Sequence, residues 1–279
     1  MKGKENLPIF THNHPHWLLK NPNLLSVLHL VPYLFQLRKW YVTRHLSKLL
    51  KALPKNFKLI DVGCGEGQFL FQFAKLYPNS RFLGVDKNES NVHLCRLYAN
   101  AKDFKGVRIE QASIESMNVA NAYDVAICIG VLQYVQDDKK AIECIYKALS
   151  PGGKLFLYTP INNRVILPYY KKIIATYVNY ETVQDRKRIY SEKTLLGLGK
   201  DAGFSIHEHI VTYGFWGNLS NELTNLCLLF VAHLWFPINI MAGLVFLLLY
   251  PFILLCMFLD FMFPVRKGNG LLLVFHKGD

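Results

Sequence analysis

The stretch Leu59–Phe69, LIDVGCGEGQF, leaves a chain few ways to fold. An apolar run suited to a buried strand stops at Gly63. Gly63, Gly65 and Gly67 then alternate through a turn, and GQFLFQFAKLY resumes with helical spacing. Glycines at such a junction let the backbone turn sharply and let a ligand approach where a Cβ would stand. The same rhythm continues downstream. RFLGVD reads as a second strand, NESNVHLCRLYANA as a helix opened by capping residues, VRIEQAS as a third strand and YDVAICIG as a fourth. DDKKAIECIYKAL sets Ala141, Ile142, Ile145 and Leu149 on one helical face; SPGG ends that helix and KLFLYTP is a fifth strand. Such alternation predicts an α/β fold, a parallel sheet covered by helices on both faces.

Beyond the fifth strand, Asn162–Tyr190 lacks a period and is rich in Tyr, Lys and Arg, as a covering segment would be. SEKTLLGLGKDAGF reads as a helix with Ser191 at its N-cap and Gly203 near its end. FSIHEHIVTYG and GLLLVFHK supply the last two strands. Upstream, NLLSVLHLVPYLFQL is interrupted by Pro32 and is too short for a membrane span. RKWYVTRHLSKLLKAL is an amphipathic basic helix that covers the domain or lies at an interface.

The glycine loop points to a ligand. Backbone N–H groups at a helix start favour an anionic group. Asp86 ends the second strand, where a carboxylate can accept two ribose hydroxyls. A dinucleotide fingerprint wants a third glycine where Gln68 stands, which counts against NAD or FAD.

With these residues the chain resembles the class I S-adenosylmethionine-dependent methyltransferases. LIDVGCGEGQF matches their glycine loop and FLGVD their ribose-binding strand end. YDVAICIGVLQYV and ALSPGGKLFLYTP match their fourth and fifth strands, and YSEKTLLGLGKDAGF the helix before their sixth. The resemblance implies a Rossmann-like, seven-stranded, mostly parallel sheet with S-adenosylmethionine as cofactor and no metal. Asp61 and the loop Gly63, Cys64, Gly65 and Gly67 would hold the methionine part, Asp86 the ribose, and Lys87 would flank the adenine. Ser113 replaces the acid that the family often places at the adenine, followed by Ile114, whose N–H could reach the ring. Gly130 and Val131 would lie beside the sulfonium. Where family members often carry a histidine after the fourth strand, this chain has Gln133 and Tyr134, so Tyr134 is a weak catalytic candidate. Tyr158, His207 and His209 are expected near the mouth, in packing or surface roles. In-line alignment of an activated methyl donor can supply most of the acceleration without a base.

The stretch Leu223–Leu259 contains no Asp, Glu, Lys or Arg, and it falls between the last two strands. If those strands pair, the chain must return to the side it left, which forbids a single crossing. A hairpin, a re-entrant loop or an interfacial helix pair remains, against the alternatives of a dimer interface or a lid. One helix is expected over Leu223–Phe236 and a second over Ile240–Phe263, with Pro251 kinking the second. Arg266–Lys267 would suit an anionic cytoplasmic interface.

The expected organisation is therefore covering helices in 1–56, the methyltransferase domain in 57–214 and 269–279, and a hydrophobic insert in 215–268. The net charge of +12 calls for an anionic partner. The basic residues form no nucleic-acid module, so a membrane surface is favoured over nucleic acid. The six cysteines show no disulfide or zinc spacing, and the bulk of the chain reads as cytosolic. His12, His14 and His16 read as a solvated end. The function expected is methyl transfer to a lipid, quinone or isoprenoid at the cytoplasmic face of a membrane. The alternatives are a soluble acceptor with the insert as a homodimer interface, or a non-catalytic membrane scaffold.

Overall fold

The protein is described by a computed structural model over residues 21–162, 164–176 and 186–278. His12, His14 and His16, and part of the covering segment after β5, lie outside the described residues.

Seven strands form one sheet in the order β3-β2-β1-β4-β5-β7-β6. A basic helix, α1 (Leu37–Lys51), precedes β1 (Lys58–Val62). The alternation then runs α2 (Gln68–Leu76), β2 (Arg81–Asp86), α3 (Glu89–Ala101), β3 (Val107–Gln111), β4 (Tyr123–Ile129), α4 (Asp138–Ala148) and β5 (Leu149–Pro160). A short helix, α5 (Tyr170–Thr176), lies in the covering segment. Helix α6 (Glu192–Asp201) leads into β6 (Phe204–Thr212). The insert is α7 (Phe215–His233) and α8 (Ile238–Met262), and β7 (Gly270–Lys277) closes the sheet, antiparallel to both β5 and β6.

Both faces of the sheet are buried. On one, Val42 and Leu46 of α1, Phe69 and Phe73 of α2 and Val92 of α3 pack on Leu59, Val125, Ile127 and Phe156. On the other, Ala141, Ile142 and Ile145 of α4 and Leu195 of α6 pack on Ile60, Val62, Ala126 and Leu155. Alternate residues of a strand face opposite sides, so an uninterrupted apolar run marks a strand covered twice. The SPGG segment does not lie between helix and strand as expected. It belongs to β5, which pairs Leu149 with Tyr123 and Lys154 with Val125 across an irregularity, with Gly152 at φ +73°. A bulge absorbs the extra residues and lets the strand begin directly after α4.

The insert leaves the sheet after Thr212 and returns at Gly270, two residues that pair with each other. Its first helix begins at Phe215, well before the expected Leu223, because its first turn is capped from a distance. Gly214 at the N-cap has no side chain, and Asp260 of α8 accepts from the N–H of Gly217 at 2.9 Å instead. Helix α8 continues through Pro251. Its mean hydropathy over the most apolar window is 2.6, and only 17% of that window is buried. The buried end packs Ile253 and Met257 against Leu37 and Tyr41 of α1.

Candidate cofactor and acceptor site

The registers set the site. Asp61 pairs with Gly84 and Val62 with Val85, so β1 and β2 end level and place the glycine turn beside Asp86. The N–H groups of Gly63 and Cys64 both donate to Val85 O, at 2.7 and 3.0 Å, and tie the turn to β2. Gly65 N–H donates to Asp86 Oδ2 at 2.8 Å, and Asn88 N–H to Oδ1 at 2.8 Å. The carboxylate is thus oriented by two main-chain donors.

The three glycines have positive φ, +76°, +53° and +75°, and they serve different ends. A Cβ on Gly63 would stand 2.5 Å from Val131 Cγ1, and one on Gly67 would strike the Phe71 ring. Those two are required by packing. A Cβ on Gly65 would meet nothing within 4 Å. The middle glycine therefore borders open space at the head of α2, with Asp86 on its N–H.

Beneath the turn, Asp61 is 3% exposed. Burial pushes its carboxyl up to about 8, Asp86 adds to the rise, and Lys39 opposes it. Lys39 reaches this layer from α1. Its ammonium donates to Gln68 O at 3.3 Å and lies 4.1 Å from the Phe69 ring centre. Burial lowers it to about 7, Arg38 lowers it further, and Asp61 opposes the shift. Cys64 is buried with its thiol pushed up, chiefly by Cys95 and by burial, while Cys95 donates to Gly65 O at 3.3 Å. All six cysteines are free thiols.

The rim is built from short turns. Lys87 is exposed beside Asp86. Ser113 donates its hydroxyl to Glu115 Oε2 at 2.8 Å and precedes a 3-10 turn in which Ile114 is buried. Gly130, at φ +69°, donates to Tyr158 O at 2.8 Å and accepts from Gln133 Nε2 at 3.0 Å. Tyr134 ends the turn that follows β4 and is half-buried. His29 of the N-terminal segment reaches Glu66 O in the glycine turn at 2.9 Å and stacks on Phe71. Burial holds this imidazole at about 4, hence neutral near pH 7, so it meets the carbonyl as an N–H donor.

Two phenols lie next to the end of β4. Tyr158 and Tyr213 are both pushed up by burial, Tyr213 to about 12, and neither ionises near neutral pH. Tyr158 shares a hydrogen bond with Thr212 Oγ1 at 3.2 Å, and the Tyr213 hydroxyl accepts from Arg38 N–H at 2.9 Å. A Cβ on Gly130 would stand 2.7 Å from Arg38 Nη1, so the guanidinium lies against the end of β4. His209 is exposed and paired with Glu192 at 3.0 Å, and His207 is exposed, so both are surface residues.

A family profile described as a methyltransferase domain matches residues 53–207. This chain belongs to that family. A ubiquinone biosynthesis O-methyltransferase of Idiomarina loihiensis is 33% identical over 106 residues, covering 37% of this chain and 42% of its own. A trans-aconitate 2-methyltransferase of Variovorax paradoxus is 30% identical over 128 residues, covering 43% of this chain and 46% of its own. The chain thus spans somewhat less than half the length of these two curated relatives. Among solved structures, geranyl diphosphate C-methyltransferase from Streptomyces coelicolor A3(2), in complex with Mg2+, geranyl diphosphate and S-adenosyl-L-homocysteine, superposes with a TM-score of 0.58. It is 15% identical, and the match covers 86% of this chain and 79% of that one, so it shows the shared fold.

In this methyltransferase-domain protein the structure brings Asp61, Gly63, Cys64, Gly65, Gly67 and Asp86 to one strand end, with Ser113, Ile114 and Gly130 on the neighbouring turns. Sequence reasoning missed Arg38 and Lys39. One signal for Lys39 was available: Lys39, Val42, Leu46 and Leu49 recur at helical spacing, so a lysine occupies the buried stripe of α1.

Proposed function

We propose that this protein transfers a methyl group from S-adenosylmethionine to an apolar or amphipathic small molecule at a membrane surface. The observation that carries the first half is the open space at Gly65, bordered by a carboxylate already oriented by main-chain N–H groups. That cradle fits the cofactor's amino-acid and ribose portions. Asp86 would hold the ribose hydroxyls, the turn Gly63–Gly67 and Asp61 the methionine portion, and Lys87, Ser113 and Ile114 the adenine. Bound there, the cofactor supplies an activated methyl group. The chain's own contribution is to orient the acceptor at Gly130 and Val131 and to exclude water. Tyr134 is half-buried next to that position.

The membrane half is supported by the exposed faces. Leu244, Leu247, Leu248, Phe252 and Leu255 of α8 are all exposed. Leu24, Val27, Leu30, Val31 and Leu34 continue that surface on the N-terminal segment, which touches α8 through Phe35 on Phe246 and Tyr250. Patches of this size on one side of a protein suit a membrane or a partner. Arg266 and Lys267, with Arg164, Lys193 and the carboxylate Glu192, line a cavity of 270 Å³ where the chain returns to the sheet, and the excess of positive charge suits anionic headgroups. Helix α1 joins the two halves, packing Leu37 and Tyr41 on the hairpin while Arg38 and Lys39 reach the site. An acceptor drawn from the bilayer would therefore enter beside α1. The ubiquinone biosynthesis relative makes a quinone precursor a candidate acceptor.

The test feeds cells methyl-labelled methionine and compares extracted lipids with and without the protein and its Asp86→Ala variant. A labelled lipid that depends on Asp86 supports the reading. A label found only in water-soluble products sinks the membrane half, and an Asp86→Ala variant with unchanged cofactor binding sinks the enzyme half.

A further inference from the structure

We propose that Arg38 binds the anionic oxygen of the methyl acceptor and so selects an acidic O–H compound, such as a phenol, enol or carboxylic acid, over an amine. This rests on the methyl-transfer reading of the site and deepens it. The guanidinium lies against Gly130, at the end of β4, where that reading places the reacting methyl. Among the described residues no carboxylate comes within ion-pair distance of it. Its side-chain hydrogen bond runs from Nη2 to Gln36 Oε1 at 3.1 Å, which leaves most of its five donors for a ligand. The buried carboxylate of this region, Asp260, is taken up by the Tyr41 hydroxyl and by the N–H groups of Tyr213 and Gly217. Arg38 is also anchored, because its own N–H donates to Tyr213 Oη at 2.9 Å.

Charge decides what such a pocket accepts. It holds the Arg38 guanidinium and would hold a sulfonium cofactor as well, while burial brings nearby Lys39 down to about 7, so that amine carries only part of a charge near neutral pH. A protonated amine would add a further cation, whereas an oxyanion is attracted by both the guanidinium and the sulfonium. The phenols Tyr158 and Tyr213 are held far above neutral, and the Gln133 amide is engaged on Gly130 O, so these groups offer no base. A fixed cation that lowers the acceptor's own pKa replaces one. The acceptor loses its proton to water first. Its oxygen lone pair then forms the bond to the methyl carbon as the carbon–sulfur bond breaks, with that pair staying on sulfur. An anion and a cation become two neutral products, a methyl ether or ester and S-adenosylhomocysteine.

Equilibrium binding tests this without turnover. The full chain, in nanodiscs of zwitterionic lipid and saturated with S-adenosylhomocysteine, is titrated with decanoate, decanol and decylamine, whose equal tails cancel the apolar contribution. The expected order is decanoate first, by about tenfold or more over decanol, with decylamine weakest. Arg38→Gln should abolish the decanoate advantage and leave decanol unchanged, while Arg38→Lys retains part of it. Arg38→Met, which keeps the aliphatic stem, replaces Arg38→Gln if that variant does not fold. A decanoate preference that survives loss of the charge overturns the proposal, as does decylamine binding best. Wild-type protein that fails to bind S-adenosylhomocysteine at all overturns the methyl-transfer reading, and the assignment of Arg38 with it.

Discussion

The Tyr41 hydroxyl lies 2.6 Å from the main-chain oxygen of Asp260 and 3.0 Å from its Oδ2, joining α1 to the base of the apolar hairpin. The same carboxylate accepts from Tyr213 N–H at 3.1 Å and from Gly217 N–H at 2.9 Å, so one side chain of α8 secures the start of α7, the end of β6 and α1. Asp260 is 2% exposed, so the groups it partners are shielded from bulk solvent. Asp260→Ala should therefore destabilise the fold by about 3 kcal/mol, from several buried groups left unpaired. Tyr41→Phe should cost about 1 kcal/mol, because it removes a single partner. Thermal or denaturant unfolding of the two variants checks both values, and equal losses would contradict the shared role of the carboxylate.

The middle glycine of the turn should separate binding from folding. Gly65→Ala meets no atom, so its cost is the left-handed backbone alone, about 1–2 kcal/mol. Its methyl group would nonetheless stand in the open space, and cofactor affinity should fall by at least about tenfold, or about 1.4 kcal/mol. Gly63→Ala carries the same backbone cost and also overlaps Val131, adding about 1–3 kcal/mol. Calorimetric titration with S-adenosylhomocysteine, beside melting curves, distinguishes the two. A Gly65→Ala protein that binds normally would remove the ligand from this position.

Asp61 should leave a signature in the pH dependence of stability. Burial raises it from 3.8 to about 8, so between those values the folded chain holds a proton that the unfolded chain has released. Stability of the ligand-free protein should fall as pH rises through that window. Lys39 acts in the opposite sense, lowered from 10.5 to about 7, so its contribution recovers as pH rises above about 7. Asp61→Asn should flatten the acid-side fall, measured as melting temperature against pH, and weaken cofactor binding. An unchanged slope would mean that Asp61 is already ionised in the ligand-free fold.

The exposed face of α8 should carry membrane binding without carrying the fold. Leu247 is 68% exposed and Leu248 81%. Leu247→Asp with Leu248→Asp should abolish flotation with vesicles containing anionic lipid while shifting unfolding by no more than about 0.5 kcal/mol, as expected for exposed sites. A wild-type protein that stays in solution as a dimer, dissociated by this pair of changes, would assign the face to a second copy instead.

The fold was legible because its signals are local. Strand ends, the Gly63–Gly67 turn and the Ser191 cap each depend on a few adjacent residues, and Ser191 Oγ does accept from Thr194 N–H at 3.1 Å. Asp86 was legible for the same reason, since it ends the strand next to the turn. The boundaries of the insert were less so. Polar residues of α7, among them Asn218, Ser220 and Glu222, hid its first turns from a hydropathy reading, yet all three are buried. Glu222, for example, accepts the N–H of Leu167 at 2.7 Å in the covering segment.

The sequence by itself determined the sheet, the glycine cradle, the carboxylate that faces it, and the presence of a charge-free segment that leaves and re-enters the sheet. Tertiary structure decided what surrounds them. Arg38 and Lys39 read as an ordinary basic pair until α1 packs between the hairpin and the glycine turn and turns both inward. Asp260 read as the end of an apolar run until it meets main-chain groups far away in sequence. The physical reason is common to these residues. A charge inside a protein is tolerable only beside particular partners, and those partners are brought to it by packing across the whole chain rather than by its neighbours in sequence.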